Sequence, residues 1–319
     1  MSFVADLRRR WHAARLERRA QPRKPLPGPL ATLPRWAVAI LGIALFAILY
    51  WGLLGAIMGT TQTDLALRPG PEALPPGGSV TVGTLAALGE AEVDRGAWTP
   101  NNLLLHPTSF RDDMPALQTG ILTTMTAAGG ALETLGDDDL MAAAEALDVD
   151  AARSFFHADF PFIGGSAGAR ILSASDHYEA FNTRLAAGEA DRPGGAAVAR
   201  RLVTAIGAPL VADARAFDRA ILDRAPDAGE DADGDMALSY QRVRGKAYAA
   251  ALLLRGVQTD FEPVLRERGL SGTLIEALEA LDRIAGADPV FIGDNDRTEQ
   301  GYLTRSAVTT LSRLRTGLE

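Results

Sequence analysis

Between Trp36 and Thr63 the chain carries no charged side chain. WAVAILGIALFAILYWGLLGAIM, residues 36–58, would rise about 34 Å as an α-helix, enough for a hydrocarbon core of about 30 Å. The apolar core of a cleavable signal peptide is only about 7 to 15 residues long, so this run predicts a retained transmembrane helix over 36–58. The chain has no cysteine, which excludes a lipid-modified cysteine as the anchor.

Charge sets the expected orientation. Residues 1–35 hold nine Lys/Arg against Asp6 and Glu17, a net of +7, so with −8 overall the rest of the chain carries −15. The positive-inside rule predicts a basic cytoplasmic tail over 1–35 and places residues 64–319 beyond the membrane. Arginine outnumbers lysine thirty to two and alanine is abundant, a composition typical of GC-rich bacterial genomes. The expected location is therefore a bacterial inner membrane with a periplasmic C-terminal domain. The implied partner is the lipid bilayer, and Val4, Leu7, Trp11 and Ala14 share a face of a basic amphipathic segment that can lie on anionic lipid. Gly55-x-x-x-Gly59 is a small-residue pair that leaves a homo-oligomer open.

GTTQTDLALRPGPEALPPGGS, residues 59–79, is rich in Pro, Gly and Thr and reads as a tether. From Val80 onward the apolar period is helical. Leu117, Ile121, Met125, Ala128, Leu132 and Leu135 form one set, and Leu202, Ile206, Leu210, Phe217 and Ile221 another. Val243, Ala247, Ala251, Leu254, Val257, Phe261 and Leu265 form a third, and Leu303, Ala307, Leu311, Leu314 and Leu318 a fourth. Steps of three and four put each set on one face. No series of alternating strands competes, so the expected fold is all-α, a transmembrane helix followed by a multi-helix bundle over 80–319. Asp113 and Ser271 are expected helix caps, Asp137 to Asp139 a helix start, DRAPDAGEDADGD (223–235) an acidic loop, and Pro209 the site of a kink.

Candidate chemistry is sparse. Gly164-Gly165-Ser166-Ala167-Gly168 matches the nucleophile pattern G-x-S-x-G, but that motif needs a strand before the serine and a histidine within reach. His177, eleven residues on, lies about 16 Å away along a shared helix. Ser166 is instead expected to cap the helix that follows. His106, His157 and His177 show no metal-ligand spacing. Asp231, Asp233 and Asp235 alternate as in calcium loops but lack glycine at the sixth place and glutamate at the twelfth. No P-loop or dinucleotide fingerprint is present, so no cofactor or metal is implied, and a net −15 opposes nucleic acid. The remaining candidate is the loop-like stretch 95–120, in which Trp98 can anchor and Asn101 can close a turn after Pro100.

Trp98-Thr99-Pro100-Asn101, followed by Asp112, Met114, Pro115, Gln118 and Gly120, resembles the signature of a bacterial single-pass inner-membrane family known as domain of unknown function 2333. Tyr240-x-x-x-Arg244-Gly245, Asp260-Phe261 with Val264-Leu265, and Ile292-Gly293 are similar to its second half. The resemblance implies an anchored helical envelope protein. The family has no established activity, so no catalytic residue is carried over. The leading expectation is a non-enzymatic scaffold that binds an envelope protein partner through a contact region comprising Trp98, Pro100, Asn101, Asp112, Met114 and Gln118. The rivals are an envelope hydrolase or metal-dependent enzyme, and a small-ligand binder with an apolar cleft.

Overall fold

The run YAAALLL between Lys246 and Arg255 is apolar all round, and a helix with that pattern has to lie inside a protein or a bilayer. In the computed structural model it lies inside the protein. The structure describes residues 34–54, 63–94, 98–101, 113–152, 166–222, 231–287, 289 and 292–319. Among them every regular element is helical: α1 Arg35–Ala47, α2 Val80–Asp94, α3 Asp113–Glu133, α4 Asp138–Leu147, α5 Ala167–Ala187, α6 Gly195–Leu222, α7 Asp231–Asp260, α8 Glu262–Glu267, α9 Ser271–Gly286 and α10 Asp294–Gly317. The chain divides into two compact units, Met1–Tyr50 and Trp51–Glu319.

In the first unit α1 is apolar and exposed, with Trp36, Ile40, Leu41, Ile43, Leu45 and Phe46 all turned outward. It runs into a wider π-helical stretch, Ile48–Leu54. The apolar helix is described over Trp36–Gly52, and the rest of the expected 36–58 span lies outside the described residues. The one described helix that is long and apolar enough to cross a membrane is instead Gly195–Asp218, with a mean hydropathy of 1.3. Its Ala199, Leu202, Val203, Ile206, Leu210 and Ala214 are buried among other helices, so its apolar stripe already has a protein partner.

In the second unit α7 is the axis, packed on by α2, α3, α6 and α9. The closest approach is between α3 and α7. A Cβ on Gly120 would overlap the carbonyl oxygen of Arg242, and one on Gly245 that of Leu117. The two backbones therefore touch directly, which only glycine permits on both sides. Further along, a Cβ on Gly256 would lie 2.7 Å from the Cα of Thr81, so α2 crosses α7 almost as closely. Further packed pairs are α3 with α4 and with α6, α2 with α5, α4 with α5, α6 with α10 and α9 with α10. The core is filled by the predicted periodic sets. Leu117, Ile121, Met125, Ala128 and Leu132 are buried, as are Val243, Ala247, Ala251, Leu254, Val257, Phe261 and Leu265.

Several helix ends are capped from a distance. The Asp260 carboxylate accepts from the backbone N–H of Val80 and Thr81 and from the Ser79 hydroxyl, each at 2.8 Å, closing the start of α2. At the end of α9 the Ala285 carbonyl accepts from Arg244 Nε at 3.0 Å and from Thr63 Oγ1 at 2.9 Å.

These bonds revise the expected tether over 59–79, because residues 63–79 are fastened to the bundle. Tyr248 donates to the Asp64 carbonyl at 3.3 Å, and Asn182 donates to the Ala73 carbonyl at 2.7 Å and to that of Ser79 at 3.0 Å. The turn-rich composition reads as irregular backbone, and in that backbone the carbonyls of Asp64, Ala73 and Ser79 accept from side chains. Residues 59–62 of that stretch lie outside the described residues.

Other local expectations are refined. Asp137 caps α4, its carboxylate accepting from the N–H of Asp139 and Leu140. Asp113 and Ser271 are the first residues of their helices, and Ser271 makes no side-chain cap. Helix α6 continues through Pro209. Asp231 to Asp235 belong to the first turns of α7, which shortens the acidic loop, and residues 223–230 lie outside the described set.

Substituting Gly245 by alanine should lower stability by at least about 3 kcal/mol, beyond the usual overpacking cost, because backbone rather than a side chain stands in the way. Gly272→Ala, where a Cβ meets nothing within 4 Å, should be neutral or mildly stabilising. Urea unfolding of both variants checks the pair.

Candidate functional site

Of the stretch 95–120 the structure describes 98–101 and 113–120, and these pack into a buried corner. Trp98 lies between the end of α2 and the start of α5, 4% exposed, and its indole N–H donates to the Ala151 carbonyl at 2.7 Å. A Cβ on Gly168 would come within 3.2 Å of the Trp98 Cβ, so the second glycine of the G-x-S-x-G stretch makes room for this ring. Thr99 donates twice to Gln118 Oε1, from its N–H at 2.9 Å and its hydroxyl at 2.6 Å, and Gln118 Nε2 donates to the Glu92 carbonyl at 3.1 Å. Gln118 is fully buried and every polar atom of its amide has a use, as burial demands.

Of the predicted contact residues, Trp98, Met114 and Gln118 are therefore internal, and Pro100 is half-buried. Asn101 ends the single 3-10 turn Thr99–Asn101, and Asp112 lies outside the described residues. The corner joins α2, α3, α4 and α5. Chemically it is a set of neutral hydrogen bonds around an indole.

Ser166 sits where the pattern is structural, its hydroxyl accepting from the Ala169 N–H at 3.3 Å at the start of α5. His177, on the same helix, has Nδ1 3.5 Å from Asp139 Oδ1. That carboxylate is also bound by Arg184, whose Nε donates to Asp139 Oδ2 at 2.9 Å while its terminal nitrogen reaches Asp137 at 2.7 Å. Burial works against ionisation of Asp137, but the Arg184 bond and the capping amides outweigh it and hold its carboxyl below the ordinary range. His106 and His157 lie outside the described residues, and among those described no three His, Asp or Glu side chains are grouped to hold a metal. Asp296 folds back to accept from the Gly293 N–H at 2.8 Å, so the Gly293-Asp294-Asn295-Asp296 stretch is a helix start.

Two charged pairs were not foreseen from the sequence. Lys246 on α7 is 7% exposed and meets both oxygens of Asp213 on α6 at 2.8 Å. Burial pushes the Asp213 carboxyl above its usual range, and Lys246 and Arg242 pull it back only in part. The available signal was that Lys246 is one of two lysines in a chain of thirty arginines. The second pair is Glu90 on α2 and Glu179 on α5, which share a hydrogen bond. Both carboxyls are raised, first by burial and then by repulsion, Glu90 from Asp94 and Glu179 from Glu90 itself, with Asp176 and Glu72 adding to each.

Lys246→Met should cost about 3 kcal/mol by stranding a partly buried carboxylate, and adding Asp213→Leu should recover most of it, measured by denaturant unfolding. Raised folded-state carboxyls give stability at low pH that is lost as pH climbs through their folded values. Glu179→Gln should therefore raise the melting temperature at pH 7.5 and leave it little changed below pH 4.5. Thermal scans at the two pH values check this.

No protein-family model, curated protein or solved structure matches this chain.

Proposed function

We propose that the protein is a membrane-anchored, non-enzymatic helical interaction module of the bacterial envelope, of the kind that its resemblance to domain-of-unknown-function family 2333 implies. Residues 1–35 are cytoplasmic and the folded unit periplasmic, where it binds another envelope protein. The observation that carries this reading is α1. Ile40, Ile43, Leu45, Phe46 and Ile48 are each more than half exposed, and apolar area left in water costs about 25 cal/mol per Å². Lipid removes that cost. The net +7 before the helix and −15 after it supply the direction of insertion.

Gly195–Asp218 is a bundle helix in this reading, because the face away from its buried stripe carries Arg200, Arg201 and Arg215, all exposed. Among the described residues of 95–120, Pro100, Asp113, Pro115 and Thr119 are partly exposed, while Trp98 and Gln118 are buried.

Alkaline phosphatase fused after Glu319 should be active in cells, and a green fluorescent protein at the same point should be dark unless it is exported folded. A phosphatase fusion that is active only after cell lysis would overturn the orientation. The full chain remaining in the supernatant after membranes are pelleted would overturn the anchor.

A further inference from the structure

We propose that the outer face of α3 is a self-association surface on which two copies of this chain pair about a two-fold axis running along α3. Two open grooves flank the C-terminal half of this helix. The groove toward α6, of about 510 Å³, has a floor of small residues including Ala131, Ala205 and Ala208, and the charges on its lining are Arg200 and Arg201. The groove toward α4, of about 600 Å³, carries Glu133, Asp138, Glu145 and Asp148, with Met141 beside them. Gly130 lines both grooves, and nothing lies within 4 Å of where its Cβ would be.

Met141 is the protruding element. At 46% exposure it is one of three large apolar side chains left outward in the described part of the second unit, with Ile275 and Tyr302. One side of α3 thus presents an apolar knob ringed by carboxylates, and the other an apolar hollow edged by guanidinium groups. Both sit at the height of Gly130, so a half-turn about an axis along α3 brings the knob of each copy over the hollow of the other. The contact is made twice and closes on itself, as an isologous dimer requires. A half-turn about an axis across α3 would instead set acid against acid and arginine against arginine, which costs several kcal/mol. Charge therefore selects the parallel arrangement of the two α3 helices. Thr123, Ala127 and Gly130, which are not buried, keep the ridge between them low enough for close approach.

The chain has no cysteine, so single cysteines report directly. In membranes holding the full chain, Ala127→Cys alone and Thr134→Cys alone should each form a disulfide-linked species of twice 33.7 kDa, because parallel helices keep each residue opposite its own copy within disulfide reach. Ile275→Cys, away from these grooves, should form no disulfide-linked species. In detergent, light scattering should show that Arg200→Glu with Arg201→Glu, and separately Glu133→Arg with Glu145→Arg, each weaken dimerisation at least tenfold. All four side chains are exposed, so circular dichroism should be unchanged. Mixing the two reversed proteins should restore a dimer, since every contact is again between opposite charges. The proposal fails if neither cysteine cross-links beyond the Ile275→Cys control. It fails if a cross-link forms only when the Ala127→Cys and Thr134→Cys proteins are mixed, or if the reversed proteins dimerise like the unaltered chain.

Discussion

The contact between Gly120 and Gly245 is the constraint on which the bundle depends. Helix axes ordinarily stand about 8 to 10 Å apart because side chains keep them there. At this crossing the side chains are missing on both helices, and each Cβ position is occupied by a carbonyl oxygen of the other helix. Such an approach fixes the register of α3 on α7, since a shift of one residue would bring a side chain into the gap. Gly256 repeats the device where α2 crosses the far end of α7. Held close at both ends, α7 has neighbours on every side. Tyr248 to Leu254 are consequently buried without a polar face between them.

Burying a helix axis in this way leaves helix ends inside the protein, and their free N–H and C=O groups need partners. The chain supplies these from distant positions. Asp260 closes α2 across 180 residues of sequence and Arg244 closes α9 across 41. Asn182 holds the irregular chain from Ala73 to Ser79. Asp260 and Asn182 each serve two or more backbone groups, and a buried backbone group left without its partner costs about 1 to 3 kcal/mol. The bonds are long in sequence, and they fasten helix ends and irregular backbone to helices that already pack together. Residues 63–79 belong to that unit for the same reason.

Helical periodicity was legible at nearly every predicted position, because burial of one stripe leaves a pattern of threes and fours that nothing else in the chain imitates. The caps at Asp137 and Ser166 were legible too, since a short acceptor before an apolar run has a local meaning. Three features were not. The all-round burial of α7 was written in YAAALLL, but the stripe Val243, Ala247, Ala251 and Leu254 marks only one of its faces. The fastening of 63–79 depends on Tyr248, Asn182 and Thr63 meeting carbonyls that are remote in sequence, and no local pattern encodes that. The Lys246 and Asp213 pair joins two helices 33 residues apart, and composition alone marked the lysine as unusual.

The corner around Trp98 shows why a motif can resemble a binding site and be a joint. Trp98, Thr99, Gln118 and Gly120 combine an amphipathic ring, hydrogen-bonding side chains and a glycine, which are the groups a recognition loop would use. They are equally the groups needed where four helix ends meet and every polar atom has to be satisfied out of water. The other residues of the resemblance sit at similar joints: Arg244 at the end of α9, Gly245 against α3, Asp260 at the start of α2 and Phe261 in the core. A signature made of joints specifies the fold and leaves the outer surface to set the partner. On α3 the adjacent glycines divide these roles. Gly129 is packed against the Tyr178 hydroxyl, while Gly130 faces open space between two oppositely charged grooves. Periodicity can assign each glycine to a face, but whether a face meets the same chain or another depends on what stands opposite it in three dimensions.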